Sequence, residues 1–173
     1  MSDDHDHHSF ATPDPFGGRV SLHLAGSFRR SGTMQLDVDG RLVDFLPLPR
    51  KQWATLALLV QSVLKSSTIG SFFTSDQLAT ALERQNIIEW NDPQIAIRIM
   101  YRLRETLNRL SAANLLFPSD TTSTQGSPIQ DNPTQGSPIQ GSFATRLIRT
   151  WKVRGYRISL PASRLSLELY DED

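Results

Sequence analysis

The chain has 173 residues, room for one domain with a hydrophobic core plus tails but not for a second domain of ordinary size. It contains no cysteine, which excludes a disulfide framework, a thiol nucleophile and a cysteine metal site. Its formal net charge is zero, yet all 18 basic residues lie between Gly17 and Arg164 against 10 acidic ones, a surplus of eight.

The start, residues 1–17, "MSDDHDHHSFATPDPFG", is acidic, contains proline and is poor in aliphatic residues, so a disordered tail is expected. His5, His7 and His8 lie in it without further ligands nearby, which favours a floppy tail over a metal site. This start lacks the basic-then-apolar plan of a secretory signal, and no apolar run reaches the roughly 18 residues of a membrane span. A cytoplasmic protein without membrane contact is expected.

Residues 19–46 alternate with strand period. Val20, Leu22 and Leu24 share one face, as do Met34, Leu36 and Val38, and Asp39-Gly40 between alternating runs marks a hairpin before Leu42. The "DVDG" run does not make a calcium loop, because Leu48 stands where the closing glutamate belongs.

Two helices are predicted next. "LPRKQWATLALLVQSVLK" has Pro49 near its start and Trp53, Leu56, Ala57, Val60 and Leu64 at helical spacing. "TSDQLATALERQ" offers Thr74 as N-cap with Gln77 three residues on, and an apolar face of Leu78, Ala81 and Leu82. Asp92-Pro93 then opens a third helix, "DPQIAIRIMYRLRETLNRL". At about 100° per residue, Ala96, Ile99, Met100, Leu103, Leu107 and Leu110 fall opposite Arg98. Gln94, Arg102, Glu105 and Arg109 cluster with Arg98, while Ile95 and Tyr101 flank that stripe and Arg104 sits near the edge of the apolar face. The early part of the stripe carries no acid. Arginine can bond two acceptors of guanine, glutamine can do so with adenine, and an aliphatic group can touch a thymine methyl. Gln94, Ile95, Arg98 and Arg102 are therefore the candidate base-reading residues.

The stretch 111–145 is dominated by Ser, Thr, Gln, Gly and Pro and holds an imperfect ten-residue repeat, "TQGSPIQDNP" then "TQGSPIQGSF", whose most alike part falls within 124–140. Each copy has one isoleucine to bury, so a flexible insertion is expected. Order returns with "RLIRTWKVRGYRISL", a basic β-hairpin over 146–160, and "RLSLELY" can add a strand within the acidic tail 161–173. From Pro93 to Arg164 there are 10 basic and 3 acidic residues, a balance suited to a polyanion.

The order of sheet, helix, helix, arginine-bearing helix and basic hairpin resembles the winged helix-turn-helix DNA-binding output domain of OmpR/PhoB-type regulators. The resemblance covers residues 18–160 apart from the insertion. It is carried by "LPLPRKQWATLALLV", "FTSDQLATAL", "DPQIAIRIMYRLRETL" with its Leu103-Arg104, and "LIRTWKVRGYRISL" with Ile148, Arg149, Thr150, Gly155, Tyr156 and Arg157. It implies an α+β fold with an N-terminal antiparallel sheet, three helices and a C-terminal hairpin wing. It also implies a recognition helix, 93–110, in the major groove, and a wing on the backbone or minor groove. Base contacts then fall at Ile95, Arg98 and Arg102, and phosphate-facing positions near Gln94 and Arg104. Backbone contacts fall at Arg104, Arg149, Thr150, Lys152, Arg154 and Arg157, with Lys152 in the place usually held by a groove-inserting arginine. The chain departs from the family at Val153, where a wing glycine is usual, at Ala96 and Ile97, where polar residues are frequent, and in having no room for a receiver domain.

The implied function is a transcriptional regulator that binds double-stranded DNA as a homodimer or in tandem on repeated half-sites. The alternative is a winged-helix protein-interaction module for a partner regulator, RNA polymerase or an assembly factor, with Ile95 and Tyr101 as anchors. No enzyme and no cofactor are expected. There is no phosphate-cradling glycine loop, no metal-ligand spacing on a helix and no paired carboxylate arrangement. His23, the one histidine outside the start, is expected on the polar side of its strand.

Overall fold

Residues 14–65, 72–118, 141–151 and 154–170 are described by the structure, a computed structural model. The histidine-bearing part of the start (1–13), residues 124–140 of the repeat, Lys152, Val153 and the last three acids lie outside the described residues.

Period-two alternation builds a meander of β1 (Val20–Ser27), β2 (Ser31–Val38) and β3 (Arg41–Leu48), each antiparallel to the next. Val20, Leu22 and Leu24 of β1 and Met34, Leu36 and Val38 of β2 are all buried. Asp39 and Gly40 both take positive φ (53° and 78°), the backbone hand a two-residue hairpin needs. A bulge between Leu36 and Asp37 shifts the β3 register, so that Asp44 rather than Val43 opposes Leu36. Leu42 is left exposed.

The expected N-terminal antiparallel sheet is corrected in one respect. The sheet is mixed and four-stranded, ordered β3-β2-β1-β6, and its last member, β6 (Leu165–Leu169), comes from the C-terminal stretch and runs parallel to β1. Leu165 is buried opposite Leu22, and Leu167 packs half-buried opposite Leu24, so the alternation in "RLSLEL" covers what would be an open edge of β1. A short 3₁₀ turn, Ala162–Arg164, leads into it.

Helix α1 (Arg50–Lys65) lies on this sheet, with Trp53 to Val60 buried without interruption. The Trp53 indole sits over Gly26 and Gly32, which pair across β1 and β2, and a Cβ on either would overlap it. Its Nε1 donates to the Thr33 carbonyl (3.3 Å). In the last turn the buried stripe steps by three residues: Val63 is buried and Leu64, expected inside, is exposed.

Helix α2 (Ser75–Arg84) opens on the expected capping box, with Thr74 and Gln77 each bonding the other's backbone N–H. Its core residues are Leu78, Ala79 and Leu82, and Ala81 is only partly buried. Asp92 and Pro93 start helix α3 (Pro93–Asn108) as read from the sequence. Ala96, Ile99, Met100, Leu103, Leu107 and Leu110 are all buried.

The stretch 111–145 is not an insertion throughout. Its ends form α4 (Ser111–Leu116) and, continuing to residue 147, α5 (Phe143–Leu147), which bury Ala112, Ala113, Phe143 and Ala144. The helix total is therefore five rather than three among the described residues. The hairpin strands, β4 (Ile148–Trp151) and β5 (Gly155–Ile158), begin after α5, so Arg146 and Leu147 are helical. Phe16, in the stretch read as a disordered tail, is also buried. It stacks against Phe143 and Phe117 (centroids at 5.4 and 6.4 Å), while the Asp14 carboxylate accepts from the N–H groups of Phe16 and Gly18. No described helix is long and apolar enough to cross a membrane.

The bulge in β3 turns the Asp44 carboxylate toward the first turn of α4, where it accepts from the N–H groups of Ser111 (2.9 Å) and Ala112 (2.8 Å). Helix α4 has no cap from its own N-cap residue, Leu110. Asp44→Ala is therefore expected to lower stability by about 1–2 kcal/mol, measured by urea unfolding, with Asp44→Asn closer to wild type.

Candidate nucleic-acid interface

Three tethers hold α3 in place. The Thr106 hydroxyl donates to Gln52 Oε1 of α1 (2.8 Å), and Asn108 Oδ1 accepts from the Ala144 N–H of α5 (2.9 Å). The third is Arg104, whose Nη2 donates to the Ile148 carbonyl (2.9 Å) and to the Thr150 hydroxyl of β4. The Arg104 guanidinium also lies over the Tyr156 ring, 5.5 Å from its centroid. Burial pushes its pKa down from the ordinary arginine value, and the Tyr156 interaction opposes that shift.

Arg104 was expected among the phosphate contacts. Its Nη2 is committed to β4, and its Nε is buried with no hydrogen-bond partner among the described residues. The structure makes it a brace between α3 and the hairpin. Thr150 is exposed, but its hydroxyl is engaged by this same arginine.

The opposite face of α3 is open. Gln94, Arg98, Tyr101 and Arg102 are exposed, and Arg98 and Arg102 have no ion pair or side-chain hydrogen bond among the described residues. Asp92, the nearest acid at the helix start, spends its carboxylate on the Gln94 N–H (2.9 Å). Glu105 is the one acid within the helix, also exposed. Ile95 departs from the expected set: it is partly buried, packs on the core and lines a cleft with Arg50, Asn86, Ile87, Ile88 and Trp90. Gln94, Arg98 and Arg102 are thus the exposed members of the predicted reading group. Arg109 is the C-cap residue of α3 and exposed.

The hairpin stands beside α3 and is fixed from its other edge. The Phe73 and Tyr156 backbones exchange two hydrogen bonds (2.9 and 2.7 Å), so the segment before α2 joins β5 as a third, one-residue partner. This approach requires glycine at 155: its φ is 99°, and a Cβ there would overlap the Phe73 carbonyl. One hairpin face, Ile148, Thr150, Tyr156 and Ile158, meets the core and Arg104. The other carries Arg149, Trp151 and Arg157. Arg149 and Arg157 face each other across the strands, and Arg157 lies over the Phe72 ring (5.7 Å). Burial first, and then Arg149, pull the Arg157 guanidinium below its ordinary value. Arg154 is exposed at the turn, and Lys152, expected to enter a groove, lies outside the described residues.

A groove of about 650 Å³ runs between α3, α5 and β4, lined by Arg104, Thr145, Arg146, Arg149, Thr150 and Trp151, with no acid among the described residues that line it. Arg146 was assigned to the hairpin. It belongs to α5, where its Nε donates to the Gly141 carbonyl (3.1 Å) and its guanidinium covers Phe117 (4.2 Å). Phe72, Arg146 and Trp151 were absent from the predicted contact set. Trp151 alone carried a readable signal, an aromatic residue amid basic ones. His23 is half-exposed on the outer face of the sheet, 3.3 Å from Asp37, as its alternation implied. No cluster that could hold a metal ion occurs among the described residues.

Comparison of the chain with protein-family models, with curated proteins and with solved structures finds no match.

Proposed function

We propose that this chain is a DNA-binding transcriptional regulator built as a winged helix-turn-helix of OmpR/PhoB type, acting in the cytoplasm. The observation that carries the reading is the exposed early part of the α3 stripe, Gln94, Arg98 and Arg102, which carries no acid and is braced beside a hairpin bearing Arg149, Arg154 and Arg157. The helix enters the major groove, where the two arginines bond guanine edges and Gln94 an adenine. The hairpin, with Lys152, holds phosphates. One domain offers a small interface, so two copies bind adjacent half-sites. The one-residue bridge from Phe73 to Tyr156, which ties the segment before α2 to the hairpin, supports the winged arrangement.

The test is binding of a duplex at several salt concentrations. Four phosphate contacts, from Arg149, Lys152, Arg154 and Arg157, correspond to a log–log salt slope of about −3.5. Lys152→Ala and Arg154→Ala should each flatten it by about 1 and weaken selected and random duplexes alike. A slope near zero would remove the DNA reading.

A protein-interaction module is the second reading. It is favoured by Trp90 (69% exposed) and Tyr101 (66% exposed), with Trp90 beside a cleft of about 1010 Å³ that Arg50, Lys51, Glu83 and Arg84 help to line. Retention on DNA at about 0.2 M salt separates the two, because non-specific backbone binding is already weak there while a selected site is still held.

A further inference from the structure

Trp151 is 49% exposed at the end of β4, on a hairpin that also carries Arg149, Lys152, Arg154 and Arg157. An indole left in water forgoes apolar burial worth ~1 kcal/mol or more. Its setting is also specific. Phe72 holds the indole edge-on, with ring centroids 5.8 Å apart and planes at 71°, and the same Phe72 ring lies beneath Arg157. Arg149 and Arg157 occupy the same face, directly opposite one another. The backbone N–H of Arg154 donates to the Trp151 carbonyl (3.2 Å), closing the turn directly after the strand residue that carries the indole. A half-exposed indole held edge-on by Phe72 thus shares one face of a basic hairpin with two arginines.

We propose that Trp151 is a wedge that enters the minor groove of the bound duplex and bends it, while Arg149 and Arg157 hold the phosphate flanking the opened base step. The proposal rests on the DNA-binding reading above and adds to it a deformation of the ligand and the residue that produces it. Aromatic and apolar side chains that part a base step kink the duplex by about 20–90° and gain a stacking partner in exchange. Phe72 is a positioning residue here, since it touches the indole and not the DNA. Its replacement should reduce the bend by freeing the indole.

The experiment uses the full chain and a duplex of about 30 base pairs selected by it from random sequence, with a donor and an acceptor dye on the two ends. Wild type is expected to shorten the end-to-end distance on binding. Trp151→Ala should bind the same duplex about ten-fold more weakly and leave it close to straight, and Trp151→Phe should restore most of the bend. In a Trp90→Phe background the remaining tryptophans are Trp151 and the fully buried Trp53, so quenching of the exposed emission on adding DNA reports stacking at Trp151. An unchanged bend in Trp151→Ala overturns the wedge, as does a bound wild-type complex that is straight and unquenched. In either case the DNA-binding reading stands. A folded wild-type chain that leaves the duplex unbound at low salt removes both.

Discussion

Alanine at Arg98 or Arg102 is expected to weaken binding to a selected duplex by roughly 10- to 100-fold, and to leave binding to random DNA nearly unchanged. A bidentate arginine–guanine contact discriminates by about 1–3 kcal/mol, which sets that range. Both side chains are exposed and make no bond within the described protein, so alanine leaves no partner stranded and the fold should melt as wild type does. They stand one helical turn apart on a helix pinned at Thr106, Asn108 and Arg104. Loss of one should therefore relax preference at one base position without shifting the other, and the double mutant should be close to additive. Lysine at either position keeps the charge but not the two-pronged geometry, and should retain non-specific affinity while losing most of the discrimination. Isotherms on selected and random duplexes check all of this. Equal losses on the two would show that the arginines serve only as charge.

The largest structural effect is expected from Gly155→Ala, about 2–4 kcal/mol of stability, from left-handed backbone strain together with a steric clash. The glycine has φ 99°, and the Phe73 carbonyl fills the space a Cβ needs. To relieve the overlap, the pair of hydrogen bonds between Phe73 and Tyr156 must open. That frees the hairpin on the side opposite to Arg104, so DNA affinity should fall with stability although no contacting side chain has changed. Chemical unfolding read beside DNA binding tests the coupling. A variant as stable as wild type would mean that the Phe73 segment yields freely.

Where local periodicity and capping decide the structure, the sequence was legible. The six apolar residues assigned to the inner face of α3 are all buried, and Thr74–Gln77 and Asp92–Pro93 mark the starts of α2 and α3. Three kinds of feature were not legible. Helices α4 and α5 span six and five residues, too short to show a period, and both take bonds from distant side chains. Asp44 lies 67 residues from Ser111, and Asn108 lies 36 from Ala144. The bulge that turns Asp44 toward α4 leaves no mark in "RLVDF". The strand at β6 was foreseen as an element, but its parallel partner was not, because pairing between chain extremes has no local signature. At the site, the exposure of Arg98 and Arg102 followed from the wheel, whereas the commitment of Arg104 to Ile148 and Thr150 depends on where the hairpin docks.

The parallel pairing of β1 with β6 also bears on the order of folding. During synthesis, β1, β2 and β3 can zip together as soon as they emerge, since each contacts its sequence neighbour. The free side of β1 then stays open, with Leu22 and Leu24 lacking their last cover, until Leu165 to Leu169 have left the ribosome. At about 5–20 residues per second that interval lasts on the order of ten seconds, far longer than a hairpin needs to form. For that time the nascent chain displays a leucine-bearing strand edge, the kind of surface on which chains pair with one another. Self-association should therefore concentrate in chains that have not yet delivered their final strand, and a nascent-chain chaperone should find its substrate there.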